Sequence, residues 1–142
     1  MPFPKSFVLR GRNVVETDNM LEAATLLGNI EARTVARTRI QVTETEQCEV
    51  STVFIPMNLS PLSDDDSNPI CFETLVSGGP LDDRMRRYAT WEEADVGHFA
   101  TCELVRQAIA GHIPSEEELT EREYVRRSWH ERVLDDDDLD EG

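Results

Sequence analysis

The chain has 142 residues, 29 of them Asp or Glu and 14 Lys or Arg, for a formal net charge of -15. That length suits one domain with a core of its own, held without disulfides or metals. The excess of carboxylates argues against direct nucleic-acid binding and against an anionic membrane surface, since both need a basic face.

No apolar run approaches the ~18–20 residues that cross a bilayer. The opening MPFPKSFVLRGR lacks the apolar core of a secretory leader. A protein working in the compartment where it is made is therefore expected. Cys48, Cys71 and Cys102 are odd in number and far apart, which argues against a disulfide framework or a cysteine-based zinc centre and fits a reducing cytosol.

In chain order, the first expected element is a helix from Asp18 to Leu27. Thr17 or Asp18 can cap it, Met20, Leu21, Ala24 and Leu27 recur at helical spacing, and Gly28-Asn29 is a stop. The period then changes to two. In Val35–Val42, Ala36, Thr38, Ile40 and Val42 alternate with Arg37, Arg39 and Gln41, as in a half-exposed strand. A second strand is expected over Glu49–Met57, with Val53-Phe54-Ile55 apolar on both faces and therefore inside the sheet. A third follows over Ile70–Val76, ended by Gly78-Gly79-Pro80, and a short charged edge strand over Met85–Ala89. Asp64-Asp65-Asp66, between Pro61 and Pro69, reads as a solvated loop. It lacks the alternating spacing of a calcium loop.

Thr90 and Glu93 form a Thr-x-x-Glu capping pattern. Behind it Trp91, Ala94, His98, Cys102, Val105 and Ile109 form a stripe that should lie on the sheet, with Gly111 as the stop. Ser115 and Glu118 repeat the pattern for a third helix over about 116–133, where Val125, Trp129 and Val133 make a narrow apolar stripe in a polar helix. The expected fold is α+β: an antiparallel sheet of about four strands with an N-terminal helix, a long amphipathic helix packed on the sheet and a C-terminal acidic helix. Residues 1–134 are expected to form one domain. Residues 135–142, with six acids and no base, are expected to form a disordered acidic tail.

The segment from Ala32 to Arg106 carries VSTVF at 50–54, CFETLVSGG at 71–79 and YATWEEADVGH at 88–98. This pattern resembles a group of small proteins encoded in tailed bacteriophages and prophages. That group has Asp-His after the second strand, where this chain has Pro56-Met57-Asn58. The resemblance implies a phage origin and a shared fold, and with the free thiols the host bacterial cytoplasm is the expected place of action. It brings no particular activity with it.

Candidate chemistry is sparse. His98 could pair with Glu92, Glu93 or Asp95 for acid-base or metal chemistry. Its place on the apolar stripe favours a core histidine bonded to the sheet. Gly78-Gly79 lacks the spacing and the Lys-Ser/Thr of a phosphate loop and reads as a turn. No Ser or Cys has a visible base, so no enzyme and no cofactor is expected. Two surfaces remain. Glu116, Glu117, Glu118, Glu121, Glu123 and Asp135, Asp136, Asp137 and Asp138 could meet a host protein with a basic surface, as an inhibitor or a nucleic-acid mimic. Arg84, Arg86 and Arg87 with Tyr88 and Trp91 could instead hold a small nucleotide-like ligand, or the arginines could pair with the acids at 82–83 or the tail. A minor virion structural or assembly component is a third expectation.

Overall fold

A computed structural model describes residues 5–60, 68–112 and 115. The acidic loop at 64–66, the expected helix over 116–133 and the tail at 135–142 lie outside the described residues.

The first element among the described residues is a hairpin that the sequence expectation lacks. β1 (Ser6–Arg10) pairs antiparallel with β2 (Asn13–Thr17), Arg10 opposite Asn13. The two-residue turn Gly11-Arg12 needs a positive φ at its first position. Gly11 supplies it at +66°. Phe7 and Val8 are buried, and the Phe7 N–H donates to Pro56 O beyond the second strand of the main sheet.

Helix α1 (Met20–Leu27) follows. Its cap is Asn19, whose side chain accepts from the Glu22 N–H at 3.1 Å, and not Thr17 or Asp18. Thr17 instead braces the approach, accepting from the Asn19 N–H and donating to Glu22. The apolar positions also differ from expectation. Ala23 is buried and Leu26 packs on the core, whereas Met20, Leu21, Ala24 and Leu27 face outward. Gly28 ends α1, but Asn29 starts a second short helix, α2 (Ile30–Arg33), by capping Ala32.

The main sheet is antiparallel, in the order β3 (Thr34–Gln41), β4 (Gln47–Phe54), β5 (Phe72–Ser77), β6 (Met85–Tyr88). These are the four expected strands, with ends moved by at most three residues. β4 lies inside the sheet and β6 at its edge, as their composition indicates. Gly78 and Gly79, both at positive φ, make the turn from β5 towards β6.

The long helix α3 (Trp91–Ile109) begins at the expected capping box. The Thr90 hydroxyl accepts from the Glu93 N–H, and the Glu93 carboxylate accepts from the backbone N–H groups of Ala89 and Thr90. Its stripe packs on the sheet, with Ala94, His98, Cys102 and Val105 buried and Trp91 and Ile109 half-buried at the ends. No helix among the described residues is long and apolar enough to cross a membrane.

Two apolar clusters lie under α3. Val50, Val76, Leu81, Cys102 and Val105 belong to one, below its C-terminal half. Phe7, Phe54, Phe72, Tyr88 and Ala94 belong to the other, below its start. Phe54 and Phe72 meet edge to face at 5.3 Å between centroids, a geometry worth about 0.5–1.5 kcal/mol beyond burial alone. The middle of the helix rests on something different.

Candidate functional site: a buried polar layer and two outer surfaces

Where the clusters part, the row across the sheet is Ala36, Thr52, Thr74 and Arg86. Strand alternation turns these side chains towards α3. Gly97, His98 and Thr101 lie above them on the buried face of the helix. The His98 ring makes two bonds: Nε2 lies 2.9 Å from Thr38 Oγ1 and Nδ1 lies 2.7 Å from Thr52 Oγ1. Thr52 Oγ1 is 2.6 Å from Thr74 Oγ1, and the Tyr88 hydroxyl donates to Thr74 Oγ1 at 3.1 Å. The Thr101 hydroxyl donates to Gly97 O at 2.8 Å.

Each hydroxyl has one proton, so the chain has a direction. With Tyr88 donating to Thr74, Thr74 donates to Thr52, Thr52 to Nδ1, and the proton on Nε2 goes to Thr38. The ring is then neutral, with both nitrogens used. Burial pushes the His98 pKa down against a smaller opposing pull from the Asp95 carboxylate, and it pushes the Tyr88 hydroxyl up. His98 is therefore the core histidine bonded to the sheet. Among its imagined partners, Glu93 serves the helix cap.

The thiols share this interior. Cys48, Cys71 and Cys102 are buried, and none forms a disulfide. Burial raises the pKa of Cys48 and Cys102, which keeps them protonated and poorly nucleophilic. Among the described residues, no group of three or more His, Cys, Asp or Glu is placed to hold a metal ion.

The basic strand is divided between the two faces of the sheet. Arg86 and Tyr88 point into the helix interface, 6% and 0% exposed, with the guanidinium carbon 5.7 Å from the ring centroid. Arg87 is on the other face, where Nε donates to Glu73 at 3.0 Å and Nη1 to Leu59 O at 3.3 Å. Glu73, not the acids at 82–83, is thus the partner of Arg87. The Asp82 carboxylate accepts from the Gly78 N–H in the turn. Trp91 lies edge-on to Phe72, with Arg12 over its ring at 5.3 Å. These residues do not converge on one open pocket.

Described residues line two hollows on the outside. A groove of about 540 Å³ runs along the outer side of α3, past Asp95, Val96, Phe99, Ala100 and Glu103. A second, of about 410 Å³, lies between β1 and α1, bordered by Leu9, Leu21 and Leu26, with the Arg10–Glu22 ion pair (2.8 Å) among its residues. The inner stripe of α3 is the expected one, and its outer face is an addition to it. The signal was present, because Val96, Phe99 and Ala100 recur at spacings of three and one on the side opposite the buried stripe. Glu116, Glu117, Glu118, Glu121, Glu123 and Asp135–Asp138 lie outside the described residues.

No protein-family model, curated protein or solved structure matches the chain.

Proposed function

We propose that the protein is a non-enzymatic accessory protein of a tailed bacteriophage. In this reading it acts in the host bacterial cytoplasm by binding a host protein with a basic surface. The observation that carries the reading is the placement of charge. The described residues hold 14 acids and 10 bases, a net of -4, whereas the remaining residues hold 15 acids and 4 bases, a net of -11. Glu116, Glu117, Glu118, Glu121, Glu123 and Asp135–Asp138 account for nine of those acids.

The interior supports the same reading. Its histidine, threonines and tyrosine are engaged with one another, and on the opposite face of the sheet the Arg87–Glu73 pair ties β6 to β5, so these groups serve the fold. Dense carboxylates raise the on-rate towards a basic surface, and their attraction weakens with salt. In its sharper form the acidic array occupies a channel that otherwise takes nucleic acid, as an inhibitor of host machinery does.

The test is capture from host lysate with the full chain and with a variant carrying Asn at 135, 136, 137 and 138. The expected result is a bound protein that is released by DNA, by 500 mM salt, and in the Asn variant. Binding that is equal at low and high salt overturns the reading.

A further inference from the structure

We propose that the outward face of α1 is the contact surface of a reversible homodimer. The helix has eight residues, Met20–Leu27, and so short a helix is marginal unless an apolar face of it packs. Its inward side offers little. Ala23 is buried, and Leu26 is half-buried against the cluster of Phe7 and Phe54. The remaining apolar residues point the other way. Met20 is 62% exposed, Leu21 76% and Leu27 53%, and Ala24 between them is exposed too. These four fall within about a third of the helix circumference, the width of a packing stripe. Ile30, at the start of α2, adds another exposed apolar side chain. The exposed area is on the order of 400 Å², the size that marks a contact site on a single chain.

The chemistry of the stripe selects its occupant. Met20, Leu21, Ala24 and Leu27 carry no charge. Arg10 and Glu22, on the flank of the helix, are paired with each other at 2.8 Å. Asp18 and Glu31, beyond its two ends, are exposed acids. A basic partner finds no carboxylate within the stripe, and an anionic bilayer meets acids at both ends. An identical apolar face is matched to it, as the self-complementary patch of a two-fold dimer requires.

The shape fits as well. Met20, Ala24 and Gly28 form one row at spacings of four, and its two small members let a second helix come close. With Ala24 at the crossing of two antiparallel helices, Met20 of one copy lies beside Leu27 of the other. Leu21 of each copy then enters the hollow of about 410 Å³ between β1 and α1 of the other, past Thr25. Each copy thus offers both a projecting leucine and a place for one. Burying the face twice, with its polar rim, removes about 1,000 Å², the lower bound of a specific interface and the size of a reversible one.

The dimer does not rest on the acids that carry the proposed function, and salt acts on the two in opposite directions. Capture of a basic host protein weakens with salt. Two copies of a chain of net charge -15 repel each other, so salt screens the repulsion and tightens an apolar contact between them.

Two measurements on the full chain test it. The first is sedimentation equilibrium between about 1 and 300 µM, in 50 mM and 500 mM NaCl. A monomer at the low end and a dimer at the high end are expected, with association at least threefold tighter in 500 mM salt. Leu27→Glu weakens association at least tenfold. Phe99→Glu, on the exposed side of α3, leaves it unchanged. At about 1 µM, where all are monomers, both variants melt as the wild type does, which separates lost association from lost fold. The second is thiol chemistry of Ala24→Cys, with the buried native cysteines left in place. Its thiol is open to reagent at about 1 µM and forms a disulfide between two copies on mild oxidation at about 300 µM. A wild-type monomer at 300 µM in 500 mM salt overturns the proposal. So does association that Phe99→Glu abolishes and Leu27→Glu keeps, which places the contact on α3. A thiol at position 24 closed to reagent even at 1 µM also overturns it, because the chain itself then covers the face.

Discussion

Gly97 is the residue on which the seating of α3 most depends. A Cβ placed there would lie 2.2 Å from Tyr88 Cε1 and 2.3 Å from Cζ. Those atoms belong to the ring, which is fully buried and tied to Thr74, so it has nowhere to swing. Gly97→Ala should therefore destabilise by about 3 kcal/mol or more, the upper range for overpacking. Removing the Tyr88 hydroxyl should not rescue it, because the clash is with ring carbons as well. Chemical denaturation of Gly97→Ala, alone and with Tyr88→Phe, reads this directly. Full stability of the single variant would show that α3 sits further from the sheet. His98 gives the interior a pH dependence whose sign is fixed. Its folded pKa lies below the ordinary value of 6.5, so on acidification the unfolded chain takes up this proton first. The contribution is complete above pH 6.5 and is lost as the pH falls through the lower folded value. Thr52→Val should lower stability by about 1–3 kcal/mol at pH 7.5, since it leaves Nδ1 and Thr74 short of a partner. His98→Gln should flatten the stability profile below pH 6.5. An unchanged slope in His98→Gln would mean that the ring is not the titrating group.

At the scale of elements, local signals were legible and facing was not. The capping box at Thr90 and Glu93 depends on residues three apart, and the helix starts there. The four main strands and the position of β4 within the sheet were also legible, from period two and from an apolar run. The hairpin before α1 was missed although Gly11-Arg12 between Phe7-Val8-Leu9 and Val14-Val15 is a two-residue turn signal. The polar layer was missed for a different reason. Along β4 the buried positions are Cys48, Val50, Thr52 and Phe54, so a threonine occupies the inward phase and Val53 the outer one. Hydropathy cannot distinguish a threonine facing solvent from one facing a histidine 46 residues away. In α1 the apolar spacing marks a helix without marking the side that packs. Periodicity reports that a face exists, and only tertiary contacts decide which face meets the body. The structure buries Ala23 and packs Leu26 inward, leaving Leu21 76% and Leu27 53% exposed. Leu21→Gln should therefore change stability by no more than about 0.5 kcal/mol, as surface positions do. A loss of about 2–5 kcal/mol on thermal melting, the range for a core leucine cut back, would contradict its exposure.

For the whole molecule, the two apolar clusters and the polar layer between them account for how α3 lies on the sheet. The chemistry-bearing groups of that interior are turned to each other. The described body is nearly balanced in charge, and most of the net -15 belongs to residues outside it. In the proposed function the partner is met through the carboxylates, whose long-range attraction weakens with salt. The most direct measurement is host-partner capture by three full-length proteins: the wild type, Thr52→Val, and the variant with Asn at 135, 136, 137 and 138. Wild type and Thr52→Val should retain the same partner at low salt, and the Asn variant should lose it. Retention by the Asn variant together with loss in Thr52→Val would place binding in the interior network and contradict a function carried by the acidic surface.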